Sequence, residues 1–229
     1  MNTSPAQLAS ALVSAAVRQM PGVVELGRQF ELAGFELALV GGSVRDIVLD
    51  RPVADLDFTT NATPDQIIAA LQPWADSVWD VGIAFGTVGA RRGALSAEIT
   101  TYRAEVYDSG SRKPEVAFGD SLEGDLLRRD FTINALYATP EGDVFDYFDG
   151  LSDLKAGHVR FVGDPATRIR EDYLRILRLF RFHAWYGRGA LDADAFQAAV
   201  ANKSGLKSLS GERVQKEILK LLAAPDPIP

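Results

Sequence analysis

The stretch from Phe35 to Thr59 constrains the fold of this chain more than any other. FELALV (35–40) reads as a buried strand, Gly41-Gly42-Ser43 turns the chain, and Val44–Leu49 reads as a short helix with Ser43 as its N-cap. VADLDFT (53–59) then alternates as a second strand. A strand, a two-glycine turn, a helix and another strand in so few residues predict a small α/β layer. Helices opening at Ser4-Pro5 and Met20-Pro21 precede it, the second ending near Gly34, and Thr63-Pro64-Asp65-Gln66 forms a capping box for a helix to about Gln72. Two further strands are predicted near Gly86–Arg91 and Leu95–Arg103, followed by a polar loop over Ala104–Pro114. A helix near Leu122–Arg128 leads into a strand over Phe131–Ala138, with Val144–Phe148 as its edge partner. From Asp164 onward the pattern is helical. The composition shift at Gly157–Asp164 divides the chain into an α/β part, residues 1–160, and an all-helical part, 161–229, whose tail AAPDPIP reads as a connection to further chain.

Composition narrows the chemistry. The chain of 229 residues has no Cys, which removes thiolate nucleophiles, disulfides and Cys-ligated metals. Its only histidines are His158 and His183, so a metal would sit on carboxylates, which favours Mg²⁺ or Ca²⁺. A net charge of −7 argues against broad non-specific nucleic-acid binding, yet Lys155–Arg188 holds eight basic residues against three acidic ones, a basic island in an acidic chain. The first positive charge is Arg18 and no run of about eighteen apolar residues exists, so a cytoplasmic chain with no membrane attachment is expected.

Four segments could carry chemistry. On a strand, Asp55 and Asp57 project from one face about 6–7 Å apart while Leu56 and Phe58 face the core, an arrangement suited to Mg²⁺. Alone, D-x-D is more often a solvated acidic edge. Upstream, Gly41 and Gly42 would let a phosphate approach the backbone, with Arg45 adding a charge-assisted bond; the plain alternative is a tight turn that needs glycine. Third, in EDYLRILRLFRF (171–182) Arg175, Arg178 and Arg181 recur every three residues with Asp172 at their head, opposite Tyr173, Ile176, Leu177, Leu179 and Phe180. Such a stripe asks for phosphates or base edges, or for carboxylates elsewhere in the chain. Last, LLRRDFTINAL (126–136) sets Arg128, Arg129, Asp130 and Asn134 among apolar residues, where a core hydrogen-bond network is expected for Asp130 and Asn134. His183 reads as a packing residue.

Together LVGGSVRD with ADLDF, RRDFTINAL, FDYFDGLSDL and EDYLRILRLFRF resemble, in order, the motifs of the class II nucleotidyltransferases, which comprise the bacterial-type CCA-adding enzymes and related poly(A) polymerases. The resemblance covers about Phe35 to Tyr186. It implies a polymerase-β-like α/β head with a small mixed sheet, followed by a helical neck. It further implies catalytic Mg²⁺ on Asp55 and Asp57, with Glu98 as a candidate third carboxylate. Gly41, Gly42 and Arg45, assisted by Arg129, would hold a triphosphate. Asp172 and Arg175 would read the incoming base, and Arg178 and Arg181 would complete the nucleotide pocket. The implied activity is addition of CMP and AMP to tRNA 3′ ends from CTP and ATP, with no obligate protein partner. Poly(A) synthesis and a catalytically silent nucleotide-binding module are the alternatives. Members of the family continue into long helical regions that grip tRNA, so this chain would correspond to head and neck.

Overall fold

A computed structural model describes residues 4–53, 56–106, 115–118 and 121–227. The chain forms two compact units, one of Met1–Arg128 with Leu136–Tyr147, the other of Arg129–Ala135 with Phe148–Pro229.

The first unit opens with α1 (Pro5–Arg18) and α2 (Pro21–Leu32), each with Pro in its first turn. Ser4 and Gln7 close a capping box on α1, as the Ser4 hydroxyl accepts from the Gln7 N–H and the Gln7 side chain accepts from the Ser4 N–H. There follow β1 (Ala38–Val40), α3 (Gly42–Val48), β2 (Leu56–Thr60), α4 (Pro64–Leu71), β3 (Ser77–Gly82), β4 (Thr87–Arg92) and β5 (Leu95–Thr101). Thr63 and Gln66 form the expected capping box on α4. Next come β6 (Arg103–Val106), β7 (Glu115–Phe118), α5 (Leu122–Leu127), β8 (Leu136–Ala138) and β9 (Val144–Asp146). Seven strands make one sheet in the order β3-β4-β5-β2-β1-β8-β9, and β6 pairs with β7 apart from it. β2 and β5 run parallel and the other neighbours antiparallel, so the sheet is mixed, as expected. Leu39, Leu56, Phe58, Val88 and Ile99 are buried in its core.

The second unit holds a 3-10 turn over Thr132–Asn134, then α6 (Gly150–Ala156), α7 (Pro165–Glu171), α8 (Leu174–Tyr186), α9 (Ala193–Asn202) and α10 (Gly211–Leu222). Phe131 anchors it, with ring centroids 4.7 Å from Phe161 and 5.2 Å from Phe182. Those contacts, with the Thr132 hydroxyl donating to Asp153 at 2.6 Å, explain why residues 129–135 pack with the helices. Packing therefore divides the chain differently from composition, which drew one cut between 160 and 161. No helix among the described residues is long and apolar enough to cross a membrane.

Four local expectations change. α3 begins at Gly42 with Gly41 at its N-cap, so Ser43 lies inside the helix and does not cap it. Residues 131–135 are a turn, and the strand starts only at Leu136. Residues 104–106 belong to β6, while the rest of the expected loop, 107–114, lies outside the described residues. EDYLRILRLFRF is broken: Asp172, with φ −150° and ψ 106°, is extended between α7 and α8. β3 was not anticipated: Val78, Trp79 and Val81 favour a strand, but every residue from Ser77 to Val81 is exposed and no alternation marks it.

Candidate active site

The first group of site residues is built around the end of β1. Gly41 sits at φ 61° and ψ −120°, a conformation that glycine alone adopts without strain, and its N–H donates to the Leu136 carbonyl on β8. That turn starts α3 directly beside β2. Within α3 the buried Arg45 forms a bidentate pair with its neighbour Asp46, Nε to Oδ1 at 2.9 Å and Nη2 to Oδ2 at 2.8 Å.

β1 and β2 pair at Ala38↔Thr59 and Leu39↔Phe58. Counting on, Asp57 would meet Val40, where β1 ends. The Asp57 N–H instead donates to the Ser43 hydroxyl at 2.8 Å. Ser43, 2% exposed, thus ties the backbone of an expected metal ligand to the glycine turn. The period-2 reading of this strand holds, with Leu56 and Phe58 buried and Asp57 exposed. Asp55 lies outside the described residues.

On the far side of β2, Asp57 stands in register with Glu98 on the parallel strand β5. Adjacent strands lie about 4.8 Å apart, and in-register residues share a face, so two carboxylates stand side by side. This is a hard-oxygen donor set open to solvent, and it fits an octahedral Mg²⁺ that keeps several of its ligands from water or phosphate. Among the described residues, no group of three or more His, Cys, Asp or Glu could hold a metal. The row continues from Glu98 to Gly89 on β4 and from Gly89 to Trp79 on β3.

The second group lies in the helical unit, and there the arginine stripe is met by carboxylates. Arg175 donates to Glu171 Oε2 at 2.5 Å and to the Arg168 carbonyl at 2.8 Å, and is itself buried. Arg178 places two guanidinium nitrogens 2.6 Å from Asp130 Oδ2 and lies 3.6 Å from Glu217. Arg181 donates to Glu217 at 2.5 Å and stacks over Phe182 at 4.1 Å. Asp172 accepts from Arg213 at 2.8 Å and from the Leu174 N–H at 3.1 Å. Arg129 reaches the Asn134 carbonyl at 3.5 Å.

Asp130 is the hub of this network and, with Asn134, makes the hydrogen-bond core expected from sequence. Its Oδ1 accepts from the Phe131 N–H at 2.9 Å and the Asn134 amide at 3.0 Å. Burial alone would push its carboxyl up, but Arg178, Asn134 and the Phe131 N–H outweigh this and hold it below the usual carboxylate range. Burial likewise works to lower the Arg178 guanidinium, and Asp130 and Glu217 together raise it. Arg181 is lowered, first by burial and then by repulsion from Arg178.

Sequence reasoning missed Arg213 and Glu217, which α10 projects one turn apart onto Asp172 and onto Arg178 and Arg181. A signal was present: Glu217 falls on the Val214, Ile218, Leu221 stripe, and a carboxylate on an apolar stripe needs a cationic partner. His183 is buried, as a packing residue should be, with Nε2 3.2 Å from the Gly189 carbonyl.

Known proteins share this architecture. A family model described as the poly(A) polymerase head domain matches residues 37–160. A CCA-adding enzyme of Lactobacillus helveticus is 44% identical over 196 residues, spanning 85% of this chain and 48% of that protein. The mitochondrial CCA tRNA nucleotidyltransferase 1 of Danio rerio is 40% identical over 207 residues, spanning 88% of this chain and 47% of its own length. The crystal structure of the Bacillus stearothermophilus CCA-adding enzyme in complex with CTP superposes with a TM-score of 0.78 at 37% identity, covering 88% of this chain and 48% of that one. The chain thus spans about half the length of the relatives it matches.

Proposed function

Because the chain belongs to the poly(A) polymerase head domain family, we propose that it transfers nucleotides from CTP and ATP to the 3′ end of tRNA, completing the CCA terminus and releasing pyrophosphate. The observation that carries this reading is the pair of carboxylates, Asp57 and Glu98, held in register beside the Gly41 turn. The names borne by its relatives support it. A cytoplasmic setting belongs to the same proposal.

Enzymes of this family depend on a divalent cation, and Mg²⁺ is the ion we assign. When bound, such an ion activates the attacking hydroxyl and neutralises charge on the leaving phosphates. Asp57 would be its ligand together with Asp55, with Glu98 as the third carboxylate. Gly41 and Gly42 would admit the triphosphate close to the backbone, and Arg45 and Arg129 would neutralise it. Asp172 and Arg175 would hydrogen-bond the edge of the incoming base, and Arg178 and Arg181 would complete the pocket. The protein's work is positioning and charge stabilisation, since phosphoryl transfer asks for little covalent participation. Ser43 would contribute by fixing the Asp57 backbone.

The test supplies Mg²⁺ and labelled CTP or ATP to tRNAs ending before C, before the second C, and at CC. Ordered addition of C, C and A supports the proposal, and Asp57→Ala is expected to abolish incorporation while retaining the fold. Turnover by Asp57→Ala would refute the metal role. The description of the matching family favours one second reading, poly(A) synthesis. Extension of any RNA with A alone, without use of CTP, would select it.

A further inference from the structure

An aromatic side chain shares the sheet face that carries the two carboxylates. Strand register sets Asp57 of β2 against Glu98 of β5, Glu98 against Gly89 of β4, and Gly89 against Trp79 of β3. Residues opposed across strands point to the same face, so all four positions lie in one row. The opposite face is the core, with Leu56, Phe58, Val88, Ala90, Ala97 and Ile99 buried.

Gly89 gives the row its shape. A Cβ at this position would lie 2.4 Å from Trp79 Cε2 and 2.5 Å from Nε1, so the indole occupies the space a side chain would take. The ring therefore leans from the edge strand back across β4, toward Glu98. β3 and β2 are three strand spacings apart, about 14 Å, and the lean brings the ring within about one nucleotide of the carboxylates. Trp79 is nonetheless 41% exposed. A large aromatic held in place by a glycine yet open to solvent is what a base-stacking platform requires.

The order of strands tells which substrate it meets. β1 and the Gly41 turn lie on one side of β2, and β5, β4 and β3 on the other. In-line displacement puts the attacking hydroxyl and the leaving pyrophosphate on opposite sides of the reacting phosphorus. With the triphosphate at Gly41, Gly42 and Arg45, the β3 side is the side from which the hydroxyl enters. We propose that Trp79 stacks on a nucleobase at the 3′ end of the RNA that receives the new nucleotide, and so is a substrate-binding residue for the acceptor. This rests on the proposed function and adds a contact to its RNA substrate.

The experiment measures binding of a fluorescently labelled single-stranded RNA ending in CC by anisotropy, with the whole chain and Mg²⁺ present and no nucleotide added. Base–aromatic stacking implies that Trp79→Ala weakens binding by about 10-fold or more, while Trp79→Phe, which keeps a stacking ring, stays within about 3-fold. Phe145, similarly exposed on the other edge strand, is the control, and Phe145→Ala is expected to leave RNA affinity unchanged. In steady state Trp79→Ala should raise KM for RNA and not for CTP. RNA affinity unchanged in Trp79→Ala, or lost equally in Phe145→Ala, overturns the platform; a rise confined to the KM for CTP overturns its assignment to the acceptor. If the unsubstituted chain extends tRNA while Trp79→Ala behaves identically, only this inference fails. If the unsubstituted chain neither binds nor extends RNA, the proposed function fails and this inference with it.

Discussion

Replacing Asp130 with Asn tests the ion network of the helical unit at its hub. The substitution keeps the volume and leaves an oxygen to accept from the Phe131 N–H and the Asn134 amide. It removes the charge that faces two nitrogens of Arg178 at 2.6 Å. Deleting one partner of a buried pair costs about 3–5 kcal/mol, because the remaining charge is left without compensation. The Arg178 side chain is 29% exposed and keeps Glu217 at 3.6 Å, so solvent and a second carboxylate recover part of this, and we expect about 2–3 kcal/mol. Urea unfolding at pH 7 reads the difference. The pH dependence gives a second check. The Asp130 carboxyl is depressed in the folded protein, so its contribution is fully present above the ordinary carboxylate pKa of about 3.9 and is lost as pH falls through the folded value. The gap between wild type and Asp130→Asn must therefore narrow in the acid range. A gap below about 0.5 kcal/mol at pH 7, where surface pairs lie, or one unchanged between neutral and strongly acid pH, would refute the reasoning.

Two other substitutions follow the same logic. Glu217→Gln takes a buried charge from between Arg178 and Arg181, so it should lower the urea midpoint and raise KM for both CTP and ATP more than it lowers kcat; unchanged KM values would remove α10 from nucleotide binding. Ser43→Ala deprives the Asp57 N–H of its 2.8 Å acceptor, at a cost of about 1–3 kcal/mol, and should weaken Mn²⁺ binding, with Ser43→Thr restoring it. Equal Mn²⁺ affinity in all three proteins, measured by titration, would show that the hydrogen bond serves folding alone.

The parts of this structure that were legible in the sequence are those governed by local period and local capping. Alternation in ADLDF assigned Leu56 and Phe58 to the core and Asp57 to the surface, Ser4-Pro5 announced one helix by its proline, and T-P-D-Q announced another by its capping box. Ser43 does not cap the helix because the positive φ of Gly41 lets it begin two residues earlier, which frees the hydroxyl to serve another strand. β3 was illegible because an exposed edge strand has no buried face to impose a period. Trp79 becomes a neighbour of the site only through register, which depends on pairings from distant parts of the chain, whereas Glu98, which register sets beside Asp57, was already offered by the family resemblance.

The arginine stripe shows how long-range partners alter the meaning of a local pattern. Three arginines in a row ask for phosphates, base edges or carboxylates, and here carboxylates meet them: Glu171 from four residues before Arg175, and Asp130 and Glu217 from distant parts of the chain. This fixes the guanidinium planes before any ligand arrives, so their rotamer entropy is lost in folding and not in binding. It also offsets their charge, which weakens their attraction for a phosphate but leaves the directionality of an N–H donor intact. Such groups suit the neutral edge of a base, where hydrogen-bond direction decides the partner. Within the proposed function, the carboxylates around Arg178 and Arg181 therefore favour discrimination between bases over affinity for the triphosphate.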